Sequence, residues 1–315
     1  MDARDLYTSE HAEGARVLVH ALQGSMDAGH AGALLAQHLL TTLPATRVAT
    51  FDVDELLDYR SRRPAMTFEA TTWTSYDDPV LAVDLVRTPT GEGVLLLHGP
   101  EPDLRWERFT TAVRTLVEDL GVETTVGVHG IPMGVPHTRP TTVTAHATRP
   151  ELLEGRPSFV GTIQVPGSAS SLLELRLGEA GHDAMGFAAN VPHYLAQAEY
   201  PQAAAELVRQ INSSTGLDLP VGELEASASS TREEIDRQVA ESDEIGAVVH
   251  ALEQQYDAFS RGLAAEDART LLAQDRLPSA DELGAEFEAF LAEHAPGEPD
   301  AGGDADGTQD DGPAS

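Results

Sequence analysis

Four short segments set histidine, arginine, asparagine and carboxylate side chains among glycines and prolines. They are 24–31 (GSMDAGHA), 98–106 (HGPEPDLRW), 129–140 (HGIPMGVPHTRP) and 186–196 (GFAANVPHYLA). Each adjoins or follows a stretch that reads as a β-strand. In an open α/β sheet, residues past the carboxyl ends of the strands line the ligand crevice. Converging there, Asp27, His98, Glu101, His129, His137, Arg139, Asn190 and His193 would make one candidate crevice. A His/Arg set can hold an anion or shuttle protons, because imidazole titrates near neutral pH. The plainer alternative is that His and Asn in such turns satisfy nearby backbone groups.

The elements that must position these segments follow from apolar runs. Arg16–Leu22, Arg47–Phe51, Val80–Val86, Val94–Leu97, Thr124–Val128, Val143–His146, Phe159–Val165 and Ala184–Ala188 read as strands. Helices are expected from about residue 31 to Leu40 with Asp27 as N-cap, and over Asp103–Leu120, Ser171–Leu177 and Pro201–Ile211. Strands alternating with helices predict a layered α/β domain with a largely parallel sheet, placed at residues 1–220. Asn212–Ser229 reads as a polar linker, and 221–295 as a helical extension packing on the domain or on a partner subunit. Ser230 with Glu233, and Thr231 with Glu234, have the spacing of capping boxes. Ile245, Val249, Leu252, Tyr256, Phe259 and Leu263 step by four and three, the seam of a helix packing on another helix. A second helix is expected from Ser279 to Leu291, and an acidic, disordered tail over 296–315.

Composition removes several chemistries. The 315 residues contain no cysteine, which excludes disulfides, thiolate nucleophiles and Cys-ligated metals. They also contain no lysine, which excludes a Walker A lysine, a Schiff-base lysine and a lysine general base. With 52 acids against 20 arginines the formal net charge is -32, so nucleic acid is not an expected partner. The excess is uneven: residues 225–315 hold 23 of the acids and 5 of the arginines, a shift that marks a change of organisation near residue 220. Met1–Glu10 lacks the pattern of a signal peptide, and no apolar run approaches the ~18 residues of a membrane span. A cytoplasmic protein with no membrane partner is therefore expected. No dinucleotide-binding, nucleophile-elbow or metalloprotease motif occurs, and neither a metal nor a cofactor is expected.

The same four segments, followed by Tyr200-Pro201-Gln202-Ala203-Ala204, resemble the proteasome assembly chaperone family, type two, in its actinobacterial branch. The resemblance covers roughly residues 15–220 and extends loosely through the C-terminal helices. It implies a nucleoside-phosphorylase-type α/β fold, and relatives that help to assemble the proteasome core. Some members carry a label linking them to ATP-grasp enzymes. The absence of lysine argues against that label here, since such sites normally hold phosphates with lysine. Proteasome-docking relatives often end in a hydrophobic-Tyr-X motif. This sequence ends Asp311-Gly312-Pro313-Ala314-Ser315, so any such contact is expected from the folded surface.

Two function classes follow. The first is a non-catalytic, chaperone-like interaction protein acting as a homo-oligomer, with the 245–263 seam as its oligomer or partner helix and proteasome subunits as further partners. The alternative is an enzyme or small-molecule binder using the His/Arg/Asn crevice for a nucleoside, phosphate or peptide-type ligand.

Overall fold

The computed structural model describes residues 3–10, 14–24, 26–153 and 162–264. The apolar runs form an eight-stranded mixed sheet: β1 (Tyr7–Ser9), β2 (Ala15–Gln23), β3 (Ala45–Phe51), β6 (Ala82–Arg87), β7 (Gly93–Pro100), β8 (Thr124–Met133), β9 (Val143–Ala147) and β10 (Asp183–Pro192). A separate hairpin pairs β4 (Met66–Glu69) with β5 (Thr72–Tyr76). The sheet order is β1-β3-β6-β7-β2-β8-β10-β9. Its centre, β7-β2-β8-β10, is parallel, and the outer pairings are antiparallel.

Side chains along β2 alternate between two cores, as the period of a strand requires. Val17, Val19 and Ala21 join one core, covered by α1 (Ala31–Thr42) and α5 (Pro201–Thr215). Leu18 and Leu22 join the other, covered by α3 (Trp106–Asp119) and α4 (Ala169–Glu179). The result is a three-layer α/β arrangement with helices on both faces. A short helix, α2 (Val53–Leu56), lies between β3 and the hairpin.

Helix ends follow local chemistry. In α3, Phe109, Ala112, Val113, Leu116 and Val117 are buried at helical spacing, and Gly121 takes φ +67 just past the end. α5 opens on Pro201 and closes on Gly216 at φ +74. Ser168 caps α4 by accepting from Ser171 N–H at 3.0 Å.

Three expectations are corrected. The stretch 212–229 is no linker. The Asn212 amide bonds both the N–H and the C=O of Leu219 at 2.9 Å, and Leu217, Leu219 and Leu224 are buried. Neither capping box starts a helix, because α6 (Gly222–Ala240) already runs through both. Ser230 instead donates back to the carbonyl of Ala226. Of the strand expected at 159–165, residues 159–161 lie outside the described residues. Residues 162–165 form no strand and expose Ile163 and Val165, since β9 already takes that edge of the sheet.

The final described helix is α7 (Asp243–Ala264). The chain divides into compact units of 1–257 and 258–315, so α6 and most of α7 belong to the first. The helix expected at 279–291 and the acidic tail lie outside the described residues.

Candidate functional site

Because β7, β2, β8 and β10 are neighbours and parallel, the four polar segments lie along one edge of the sheet. Their side chains, however, are divided among distinct tasks.

Asp27 is a structural bridge. Its Oδ1 accepts from Gly32 N–H at 2.8 Å and Gly130 N–H at 3.1 Å, and its Oδ2 accepts from Ala33 N–H at 3.1 Å. It thus satisfies the first turn of α1 from outside the cap position, which His30 occupies at φ 50, and joins that turn to β8. Burial raises its carboxyl above the usual range, and the three amides work in the opposite direction. Gly130 is required in this bridge: a Cβ there would stand 2.0 Å from the Ala28 carbonyl oxygen.

Glu101 is buried and serves the opposite face. Its Oε1 accepts from Ala169 N–H at 2.6 Å, placing a carboxylate at the N-terminus of α4. Its Oε2 lies 1.9 Å from where a Cβ of Gly24 would be, so a larger residue there would displace the carboxylate. Asn190 binds Thr142 Oγ1 at 2.8 Å and holds β10 to the approach of β9.

His98 Nε2 donates to Asp84 Oδ2 at 2.7 Å, and Arg47 Nε donates to the other carboxylate oxygen at 2.6 Å. Burial acts to raise the Asp84 carboxyl. The hydrogen bonds from His98 and Arg47 together outweigh it and hold the group below its ordinary value.

His137 and Arg139 fasten the C-terminal helices. His137 is 1% exposed. The Tyr194 oxygen accepts the His137 backbone N–H at 2.9 Å, and its hydroxyl faces Nδ1 at 2.7 Å. Nε2 faces Asp236 Oδ1 of α6 at 3.0 Å. A carboxylate can only accept, so Nε2 is the donor to Asp236. Burial pushes the Tyr194 phenol up to about 12. Arg139 forks onto Asp257 of α7 at 2.8 and 2.7 Å and reaches Glu253 at 3.1 Å. Thr138 donates to the same Glu253 at 2.6 Å. His193 is exposed and stands edge-on to Tyr194, with centroids 5.4 Å apart.

The seam of α7 is turned toward this loop. Val249 is buried, Leu252 approaches Gly134, and the Tyr256 hydroxyl points to the Pro140 carbonyl. Ile245 remains 46% exposed. The side chains of Phe259 and Leu263 lie outside the described ones.

His129 belongs to a cluster that sequence reasoning did not assemble. Register aligns His20 of β2 with Gly127 of β8, Gly127 with Gly186 of β10, and Gly186 with His146 of β9. The imidazole of His20 sits over Gly127 and that of His146 over Gly186. A Cβ at either glycine would fall 2.6 or 2.0 Å from the ring. His129 follows two residues after Gly127, on the same face. His146 Nδ1 donates to Glu174 of α4 at 2.8 Å. His20 Nδ1 is buried without a partner. Burial lowers His20 to about 4, with Glu174 opposing and His129 and His146 reinforcing. Burial and His146 likewise lower His129 to about 4. Both rings are therefore neutral at pH 7. One sequence signal for this cluster exists: a histidine inside the apolar run RVLVHAL. The acids on α6 and α7 that meet the loop carry no such signal, being spaced like any solvated face.

Among the described residues, no group of three or more His, Asp or Glu is placed to hold a metal ion. No described helix is long and apolar enough to cross a membrane.

The sequence profile of the PAC2 family matches residues 21–239. The chain belongs to the PAC2 family. Its structure is similar to that of a Mycobacterium tuberculosis protein of unknown function, with 49% identity, TM-score 0.78, and 81% of this chain and 92% of that one covered. A Corynebacterium glutamicum protein of unknown function is 42% identical, with TM-score 0.77 and coverage of 80% and 97%. A M. tuberculosis proteasome-assembly chaperone homologue is 26% identical, with TM-score 0.68 and coverage of 74% and 99%. No curated protein matches the chain. The PAC2 assignment agrees with the resemblance carried by the four segments, and with a mixed α/β fold followed by C-terminal helices.

Proposed function

We propose that this PAC2 protein is a non-catalytic, chaperone-like interaction protein that acts as a homo-oligomer and engages proteasome subunits. Family membership and the proteasome-assembly homologue support the chaperone class. The observation that carries the interaction reading is the β4–β5 hairpin, which exposes Met66, Phe68, Trp73 and Tyr76 at 43–61%. The Phe68 and Trp73 rings pack only 4.9 Å apart, forming an aromatic knob. A lone two-stranded hairpin is marginal in water, and clustered exposed apolar side chains mark contact surfaces. A second copy of the chain is the occupant assigned to the hairpin in this reading. The 245–263 seam is less suited to that task, because Val249 and the loop-facing residues are used within the same chain. The enzyme reading loses support because Asp27, Glu101, His137, Arg139 and Asn190 are all bound into the fold.

Light scattering on the full chain tests the oligomer: a species larger than one chain is expected, and Phe68→Ser with Trp73→Ser should reduce it to monomer. A wild-type monomer at micromolar concentration would defeat that part. Affinity capture with tagged protein tests the partner. Recovery of core proteasome subunits is expected, and their absence under conditions that recover known partners counts against it.

A further inference from the structure

β2 and β7 are adjacent and parallel, yet α1 after β2 and α3 after β7 lie on opposite faces of the sheet. Their carboxyl ends are thus a topological switch point, where open α/β sheets leave a ligand crevice. A cavity of about 360 Å³ lies there, lined by Gln23, His98, Gly99 and Pro100 from the strand ends and by both stems of the hairpin. That size is within the usual range for small-ligand sites. The approach of the two parts is close: Gly99 takes φ +120, and a Cβ there would meet the Val80 carbonyl oxygen at 2.1 Å.

The lining sorts into three kinds. Leu57, Pro64, Pro79, Val80 and Pro100 make apolar walls. Arg62 and His98 are already engaged, Arg62 with Asp103 at 2.9 Å and His98 with Asp84 at 2.7 Å. Arg63, Asp77 and Asp78 also line the cavity, and among the described residues no side-chain hydrogen bond or ion pair occupies them. Uncommitted charges of both signs beside apolar walls suit a small molecule with an anionic end, a cationic end and an aliphatic side chain. We propose that this cavity binds an aliphatic zwitterion, its carboxylate on Arg63 and its ammonium on Asp77 or Asp78. A free amino acid and a short apolar peptide share that chemistry. The occupant would touch residues just before β4 and just after β5, so binding would steady the hairpin's base. The inference rests on the cavity alone and stands apart from the chaperone reading.

Calorimetry on the full chain with four probes tests it: L-leucine, L-leucyl-L-leucine, N-acetyl-L-leucine and L-leucinamide. Saturable binding is expected for leucine or the dipeptide, the tighter of the two naming the source. The acetylated and amidated probes, each lacking one charge, should bind roughly tenfold more weakly, the loss of one charge-assisted contact. Arg63→Ala should abolish the preference for leucine over leucinamide. Asp77→Asn with Asp78→Asn should abolish the preference over N-acetyl-leucine. All these positions are exposed, and circular dichroism checks that the variants fold. Absence of binding by both zwitterions, equal binding of all four probes, or insensitivity to both sets of variants would overturn the proposal.

Discussion

The imidazole of His20 occupies the space that a side chain at Gly127 would fill: a Cβ there would lie 2.6 Å from His20 Cε1. The two residues are register partners on adjacent parallel strands. Gly127→Ala should therefore destabilise the fold by about 1–3 kcal/mol through overpacking. Combining it with His20→Ala should cost less than the sum of the single changes, because the second removes the clash. Urea denaturation of the four-member cycle measures this. Additivity would show that the contact is not the cause.

The same histidine predicts an acid-sensitive fold. Its folded-state value of about 4 lies below the ordinary 6.5, so the native state favours the neutral ring. The sign follows: this contribution is fully present above about pH 6.5 and is lost as pH falls toward 4. Between pH 7 and pH 5, His20 alone should cost on the order of 2 kcal/mol of stability. His129 acts in the same direction. Thermal melts across that range should show the loss, and His20→Gln should flatten it. An unchanged pH profile in the variant would contradict the assignment.

Asp27 should be structural and costly to remove. Asp27→Ala strips an acceptor from three backbone amides, and the expected loss is about 2–4 kcal/mol. Hydrogen exchange should quicken at Gly32, Ala33 and Gly130 ahead of the rest of the sheet.

Arg139 should act locally. Its contacts with Asp257 and Glu253 are partly exposed and screened by solvent, so Arg139→Ala should leave the global urea midpoint nearly unchanged. Protection in α7 should fall far more than protection in β8. His137→Ala should cost more, about 2–3 kcal/mol, because it empties the space of a fully buried ring and leaves the half-buried Tyr194 hydroxyl without its imidazole partner.

Much of the fold was legible because apolar runs report burial directly. The runs at 16–22, 94–97 and 124–128 became β2, β7 and β8, and α3 followed its Phe109–Leu116 spacing. The hairpin was missed because its side chains are exposed and short alternation carries little signal. The polar stretch 212–229 misled because Asn212 satisfies backbone groups locally, which composition cannot distinguish from a linker. The capping spacing at 230–234 misled because the helix had already begun.

By itself, the sequence determined the PAC2 membership, the layered α/β class, the exclusion of cysteine and lysine chemistry, and the four polar segments. Those are properties of residue identity and of spacing along one chain. Only the tertiary structure decided what the polar residues do. It sent Asp27 to three amides, His137 and Arg139 to acids about 100 residues further along, and His20 across two glycines toward His129 and His146. Hydrogen bonds and close approaches of that kind depend on strand register and on which helix covers which face. Such distances arise only when the sheet closes.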